Sequence, residues 1–190
     1  MKNVRTKSAL VLAALIGTGA LVAGSAWAQL DAAKSSVSIV AKQLGVPMDG
    51  SFKKFDAAVN FNPAQLAQSS AKVDIDTASF DIGDADYNKE IRGKDWFDAT
   101  HYPKATFVSS SIKQGAAGKY DVAGKLTIKG KTQDVVVGAT YKQDGGSNVF
   151  EGVLPIKRTV FNIGEGDWKD TSVVADEVQI KFRIVTAAKK

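Results

Sequence analysis

The chain has 190 residues, with 25 basic and 20 acidic side chains and no cysteine. The lack of cysteine excludes disulfide bonds, thiolate metal ligands and cysteine nucleophiles. Three of the basic residues fall within the first seven positions, so 22 basic residues stand against 20 acidic ones in the rest of the chain. A nearly neutral main body gives no argument for nucleic-acid binding.

The N-terminal segment predicts a signal for export. A basic start is followed by a largely apolar stretch from Ala9 to Val22, and Ala26-Trp27-Ala28 has the small-x-small pattern that a signal peptidase requires. The apolar stretch is short for a membrane span, which needs roughly 20 residues. We therefore predict a signal peptide over 1–28, cleavage after Ala28, and a mature periplasmic domain over 29–190 without a stable membrane span.

Beyond residue 36 the hydrophobic pattern has a period of two, as in the C-terminal run where Val178, Ile180 and Phe182 alternate with polar residues. This alternation is typical of antiparallel strands with one dry and one solvated face. Between the third and fourth strands, Asp84 is expected to cap a short helix that continues through Arg92. The pattern predicts eight strands, at about 36–44, 51–61, 70–77, 103–113, 118–129, 132–143, 148–161 and 175–187.

Eight antiparallel strands with one dry face predict an all-β, closed up-and-down barrel, because closure removes the exposed edges of the sheet. A barrel of this size is either filled by its own side chains or holds one small ligand. A two-sheet sandwich is the alternative that the pattern leaves open.

Few residues have the spacing that catalysis or metal binding requires. His101 is the only histidine, and because it precedes a predicted strand in a His-Tyr-Pro turn, we interpret it as a turn residue rather than a general base. Five aspartates lie between 74 and 86, but Arg92 stands where a twelve-residue calcium loop begun at Asp81 would need its closing acid. The sequence therefore predicts no catalytic residue, no metal site and no cofactor.

Arg158 interrupts an apolar strand face. It shares the parity of Leu154 and Ile156 on the seventh predicted strand, where an unpaired guanidinium would be costly. One interpretation is an internal ion pair with Glu90 or Asp95, or a bulge that turns the side chain outward. The other is a polar anchor at the mouth of a lipid cavity. The sequence leaves both open.

Several segments, in this order along the chain, resemble the YceI-like polyisoprenoid-binding family. The likeness covers nearly all of the predicted mature domain. The segments are IVAKQLGV at 39–46, GSFKKFD at 50–56, WFDATHYPKATF at 96–107, YDVAGKLTIKGKT at 120–132 and RTVFNIG at 158–164.

The resemblance implies an eight-stranded antiparallel, lipocalin-like barrel with a short helical insertion, exported to the periplasm. It also implies a polyisoprenoid or similar long-chain lipid, such as an isoprenoid quinone, held in the barrel lumen. This chain departs from the family at Gln43, where many members have histidine, and at Tyr87-Asn88, where many have Arg-Asp. These departures bear on the head group of the ligand.

We predict a non-enzymatic protein that binds an apolar lipid, because few polar contacts are needed when burial of the chain supplies the affinity. A second hypothesis is an accessory protein that docks on a membrane redox partner such as a b-type cytochrome, and a third is an enzyme that acts on the lipid. A homodimer is also left open. The predicted ligand-binding residues are Ile39, Ala41, Phe52, Val73, Ile75, Trp96, Phe97, Phe107, Leu126, Ile128, Val137, Leu154, Ile156, Arg158 and Phe182.

Overall fold

The computed structural model describes residues 28–116 and 118–188. The predicted signal peptide lies outside the described residues, apart from Ala28 at its end. Within the described ranges, no helix combines the length and the apolar character that crossing a bilayer would require.

One antiparallel sheet makes up most of the described chain. Its strand order is β3-β4-β6-β7-β8-β9-β10-β1-β2-β5. An α-helix, α1 (Ala85–Arg92), follows the two-residue strand β5, and five short 3-10 segments occupy connections. The strands are β1 (Ser36–Gln43), β2 (Val46–Phe52), β3 (Phe55–Asn60), β4 (Ser70–Asp76), β5 (Phe80–Asp81), β6 (Lys104–Gln114), β7 (Lys119–Ile128), β8 (Lys131–Asp144), β9 (Ser147–Lys157) and β10 (Glu177–Ala187).

The sheet curls because one segment of the chain, 46–60, serves both ends of the strand order. Its first half, β2, pairs with β1, and its second half, β3, pairs with β4. The break falls at Lys53 and Lys54, where Ser79 satisfies the backbone instead: its carbonyl accepts from the N–H of Lys53 and its hydroxyl from that of Lys54. The bend carries one continuous stretch from β2 to β3, at opposite sides of a curled half-barrel; the predicted closure is not reached, because β3 and β5 end the sheet without pairing with each other. The predicted all-β, lipocalin-like fold class is confirmed. The strands form a single sheet, not the two packed sheets of a sandwich.

Two predicted strands differ from the structure by more than two residues at a boundary. The second predicted strand, 51–61, begins earlier, at Val46, and is divided in two. Pro47, Asp49 and Gly50 are poor strand formers, but pairing with β1 overrides that preference. The predicted strand 148–161 ends at Lys157, because Arg158–Phe161 turns into a 3-10 segment. The bend at Lys53–Lys54 and the short β5 account for ten strands where eight were predicted.

The predicted helix is present, and its N-terminal cap is the predicted residue. The side chain of Asp84 accepts hydrogen bonds from the backbone N–H groups of Asp86 and Tyr87, at 2.9 and 3.0 Å. At the other end, the guanidinium of Arg92 donates to the carbonyl of Phe80 at 3.0 Å, which ties the helix to β5. The helix therefore lies against the β2–β5 edge of the sheet.

Aromatic contacts hold this insertion on the sheet. The ring of Phe52 lies 5.2 Å from that of Phe80 and 5.7 Å from that of Phe97, both in edge-to-face geometry. All three side chains are buried. They fix α1 and the following loop beside one end of the barrel.

Gly50 is required by this packing. A Cβ at Gly50 would overlap the ring of Phe80, so Gly50→Ala is expected to lower the free energy of unfolding by about 1–3 kcal/mol. Gly138→Ala is the matched control, because a Cβ there meets no atom within 4 Å and the strand position is open. Urea denaturation followed by circular dichroism would measure both, and equal losses would contradict the packing argument.

Candidate functional site

Two adjoining cavities occupy the inside of the curled sheet. Each has a volume of about 140 Å³ and is lined almost wholly by apolar atoms. The outer chamber is walled in part by α1 and by the connection between β9 and β10, and the inner chamber by the opposite ends of the strands. Residues that line both chambers form a junction between them: Val73, Ile75, Phe107, Leu126 and Ile180.

All fifteen residues predicted to bind ligand line one of these chambers or both. Their contact with a ligand stays a prediction. Those at the outer chamber alone are Ile39, Ala41, Phe52, Trp96, Phe97, Ile128, Ile156 and Arg158. Those at the inner chamber alone are Val137, Leu154 and Phe182. Those at the junction are Val73, Ile75, Phe107 and Leu126.

Other lining residues were not predicted. Ile180 belongs to the junction, and its parity with Phe182 was a signal that could have identified it. Val122, Ala139 and Ile184 likewise lie within strands and share the parity of predicted residues. Others lie in the helical insertion and the β9–β10 connection, where no simple period applies. The residues not predicted also include Met48, Phe80, Ile82, Ile91, Ile163 and Trp168 in the outer chamber, and Phe61, Tyr120 and Phe150 in the inner one.

An aromatic cluster packs at the end of the inner chamber. The ring of Phe61 lies 4.7 Å from that of Tyr141, 5.0 Å from that of Tyr120 and 5.3 Å from that of Phe150. The hydroxyl of Tyr141 donates to Asn148 at 3.1 Å. These mutually packed rings border the inner chamber at the end opposite to α1.

The opposite end is bridged by tryptophan contacts. The indole N–H of Trp168, in the β9–β10 connection, donates to the carboxylate of Glu90 on α1 at 3.0 Å. The ring of Trp168 also lies 5.6 Å from that of Trp96. Tyr87 and Glu90 are exposed and line the outer chamber, so this end is the mouth of the lumen.

Arg158 is held by backbone carbonyls rather than by an acid. Its side chain is 2% exposed, and all five of its N–H groups donate within the β9–β10 connection. The acceptors are the carbonyls of Ala175, Ile163, Gly164, Trp168 and Val174, at 2.7–3.2 Å. The predicted ion pair with Glu90 or Asp95 is therefore wrong, as is the outward bulge. The guanidinium also has no N–H left for a ligand head group.

The charge of Arg158 is balanced by a nearby carboxylate. Burial lowers the pKa of the guanidinium, and the negative charge of Asp176 opposes that shift. Burial alone would raise the pKa of Asp176, but hydrogen bonds from the hydroxyl and backbone N–H of Thr159 and the positive charges of Lys157 and Arg158 lower it. The bonds from Thr159, together with the bond from the N–H of Arg158 to the carbonyl of Asp176, tie the two ends of the connection together.

The polar groups near the chambers are few. The indole N–H of Trp96 is buried without a hydrogen-bond partner among the described residues. His101 lies outside both chambers, exposed to solvent and hydrogen-bonded to Asp98 at 2.8 Å.

Over 28–116 and 118–188, no group of three or more histidine or acidic side chains is placed to hold a metal ion. The calcium alternative drawn from the aspartates thus gains no support from this part of the chain.

Comparison with known proteins identifies the family. The model of the YceI-like domain matches residues 28–186, which includes both chambers and all but the last residue of β10. The chain belongs to the YceI-like family. A UPF0312 protein of Azotobacter vinelandii is 30% identical over 184 residues, spanning 93% of this chain and 94% of its own. UPF0312 proteins of Vibrio cholerae are 36% identical over 110 residues, and this match spans only 58% of their length.

Solved structures agree with this YceI-like fold. Burkholderia cenocepacia BcnA is 59% identical, with a TM-score of 0.81 over 83% of this chain and 99% of its own. A polyisoprenoid binding domain from Saccharophagus degradans is 17% identical, with a TM-score of 0.69 over 85% of this chain and 98% of its own. At that identity the second likeness concerns the fold.

Two of the three residues at which the sequence is expected to depart from the family pattern line the outer chamber, and the third does not. Gln43 and Tyr87 both line the outer chamber. Asn88 is engaged elsewhere: its amide donates to Asp81 at 2.8 Å and its carbonyl accepts from the N–H of Ile82 at 2.9 Å.

Proposed function

We propose that this protein binds a long apolar lipid, an isoprenoid in particular, with the tail extending through the outer chamber into the inner one. The observation that carries the proposal is the pair of adjoining apolar chambers that share the five-residue junction. Each buried CH₂ group of such a tail contributes about 0.8 kcal/mol. Affinity then needs few polar contacts, which agrees with the lining. The Saccharophagus degradans domain, which shares the fold and is described as polyisoprenoid binding, supports the same ligand class.

The size of the chambers limits what is held. Two cavities of about 140 Å³ each approach the lower end of the roughly 300–1,000 Å³ of ligand pockets. We infer a single tail rather than a two-chain lipid. The mouth is bridged by the Trp168–Glu90 bond, by the ring contact with Trp96, and by hydrogen bonds from the N–H groups of Gly164 and Glu165 to the carbonyl of Asp95.

A head group with a hydrogen-bond acceptor suits the outer chamber. An unpaired buried N–H costs about 1–3 kcal/mol, and the indole of Trp96 is such a group. A quinone carbonyl or a prenol oxygen beside it would remove that cost. This favours an isoprenoid quinone or alcohol over a plain hydrocarbon.

We further propose that the protein acts in the periplasm, after cleavage of the predicted signal, and that it binds its lipid without changing it. The support for binding over catalysis is the position of His101, which lies on the surface and away from the lumen. A hydrolase or isomerase acting on the lipid would need an acid or base facing the cargo, and the acid at the outer chamber, Glu90, is exposed at the rim and accepts a hydrogen bond from Trp168.

Native mass spectrometry of the protein isolated from periplasm tests the proposal. We expect a mass increase that matches one isoprenoid quinone or polyprenol per chain, released by solvent extraction and identified there. Protein stripped of lipid should take up the same compound in titration. An empty protein that also fails to take up quinones and polyprenols would contradict the proposal and would favour docking on a membrane cytochrome instead.

A further inference from the structure

The turn between β1 and β2 carries two large apolar side chains that the fold does not bury. Leu44 is 72% exposed and Val46 is 60% exposed. Gly45 lies between them, and the exposed Pro47 follows. We call residues Leu44–Pro47 the β1–β2 tip. Single exposed apolar residues are ordinary on protein surfaces, but two on one turn form a small apolar patch.

The backbone of the tip makes the choice of leucine harder to explain by folding alone. Leu44 and Gly45 both have positive φ angles, 50° and 81°. Two-residue hairpin turns of this kind favour Asn-Gly or Gly-Gly, because a side chain with a Cβ is strained in the left-handed region. Leu44 bears that strain although its side chain is exposed, so no free energy of burial offsets it. The presence of leucine therefore indicates that this side chain contacts something outside the chain.

The tip is fixed in place beside the mouth of the lumen. The N–H of Leu44 donates to the carbonyl of Val173 at 2.8 Å, and the N–H of Ala175 donates to the carbonyl of Lys42 at 2.9 Å. On either side of the tip, Lys42 and Met48 line the outer chamber. An apolar surface that received the tip would thus lie directly at the entrance for a lipid.

An exposed lysine, Lys42, lies just before the tip. Asp49, also exposed, follows the tip on β2, three residues after Val46. A lysine next to an apolar tip can bury its methylene stem and place its ammonium group among lipid phosphates. Tyr87, also exposed and at the chamber rim, has the amphipathic side chain that is enriched at membrane interfaces.

We propose that the β1–β2 tip inserts into the interface of a lipid bilayer and brings the mouth of the outer chamber to the level of the acyl chains. The proposal rests on the proposed lipid-binding function and assigns it a surface for loading and release. Binding is weak and reversible, because only two aliphatic side chains and one lysine take part.

Flotation with vesicles of phosphatidylcholine and phosphatidylglycerol tests the tip. Leu44→Asn relieves the backbone strain and removes the apolar side chain, so we expect binding to fall by about tenfold while thermal stability is kept or raised. Neither Leu44 nor Val46 lines a chamber, so uptake of lipid by the variants should be unchanged.

Val46→Thr and Val136→Thr form a matched pair. Both valines lie on strands and are exposed to the same degree, 60% and 61%, but Val136 lies on β8, outside the tip. We expect the first substitution to weaken vesicle binding and the second to leave it unchanged. Equal effects of the two substitutions, or unchanged binding of Leu44→Asn, would overturn the proposal and leave a protein partner as the occupant of the tip.

The same samples separate this proposal from the lipid-binding function. A wild-type protein that takes up quinone from dilute solution but does not float with vesicles would overturn docking and leave lipid binding intact. A protein that floats through its tip but takes up no quinone or polyprenol would overturn lipid binding while the tip remained a membrane contact.

Discussion

Arg158→Met should lower the free energy of unfolding by at least about 3 kcal/mol. The guanidinium of Arg158 is the shared donor for five backbone carbonyls in the β9–β10 connection. Methionine fills much of the same volume but donates to none of them. Each carbonyl that stays buried without a partner costs about 1–3 kcal/mol, and Asp176 loses the charge that faces it.

Arg183→Met provides the control, because it removes the same group from an exposed strand position. Arg183 is partly exposed and pairs with Glu151 across β9 and β10. Such a pair contributes about 0–1 kcal/mol, so little change is expected. Urea denaturation with two probes, far-ultraviolet circular dichroism for the sheet and tryptophan fluorescence for the mouth, measures both variants. A loss for Arg158→Met no larger than that for Arg183→Met would contradict the assigned role.

A milder outcome is also informative. If the sheet keeps its stability but the fluorescence of Trp96 and Trp168 changes, the connection has loosened without unfolding the barrel. Lipid uptake should then fall, because the connection supplies Ile163, Trp168 and Val174 to the wall of the outer chamber. Arg158→Lys should be only partly compensating, since an ammonium has three donors where the guanidinium has five.

The surroundings of Arg158 mark the limit of reasoning from sequence. Its parity with Leu154 and Ile156 correctly indicated an inward position, because strand periodicity is local. The partners could not be deduced, since all five are carbonyls, and a carbonyl is present at every residue whatever its side chain. The sequence pattern therefore directed attention to the acids Glu90 and Asp95. The hydrogen bond from Trp168 to Glu90 joins residues 78 positions apart, and it could not be deduced from the sequence either.

The lumen was predictable for a related reason. Ile39, Phe107 and Phe182 face inward because each lies on a strand whose alternate residues face solvent, and a curled sheet has only one inside. The same rule failed at β2, where Pro47 and Gly50 hid a strand that neighbouring β1 stabilises. It also could not identify Phe61, Tyr120 and Tyr141 as one cluster. Their contacts depend on how the sheet curls, because the curl brings Phe61, just after β3, against Tyr120 on β7 and Tyr141 on β8.

Ile180→Trp is expected to prevent long tails from reaching the inner chamber while short ones still bind. Ile180 lies at the junction, opposite Leu154 on β9 and Ile39 on β1. An indole there projects into a passage between cavities of only about 140 Å³ each. We expect a short-tailed quinone to keep its affinity within a few fold. A long-tailed isoprenoid quinone should lose at least about tenfold, because the buried portion of its tail no longer includes the inner chamber.

Val136→Trp adds the same bulk on the outer, solvent-facing side of β8, where the residue is exposed. The affinity for both quinones should then equal that of the wild type. Overpacking by the inward tryptophan costs about 1–3 kcal/mol, so thermal denaturation must show that Ile180→Trp is folded at the temperature of the titration. Fluorescence titration with the two quinones then gives the answer as a ratio of affinities, which a general loss of stability does not alter. A parallel loss for both tails would place the whole cargo at the junction. No loss for either would mean that the tail never passes it, and that the outer chamber alone is the binding site.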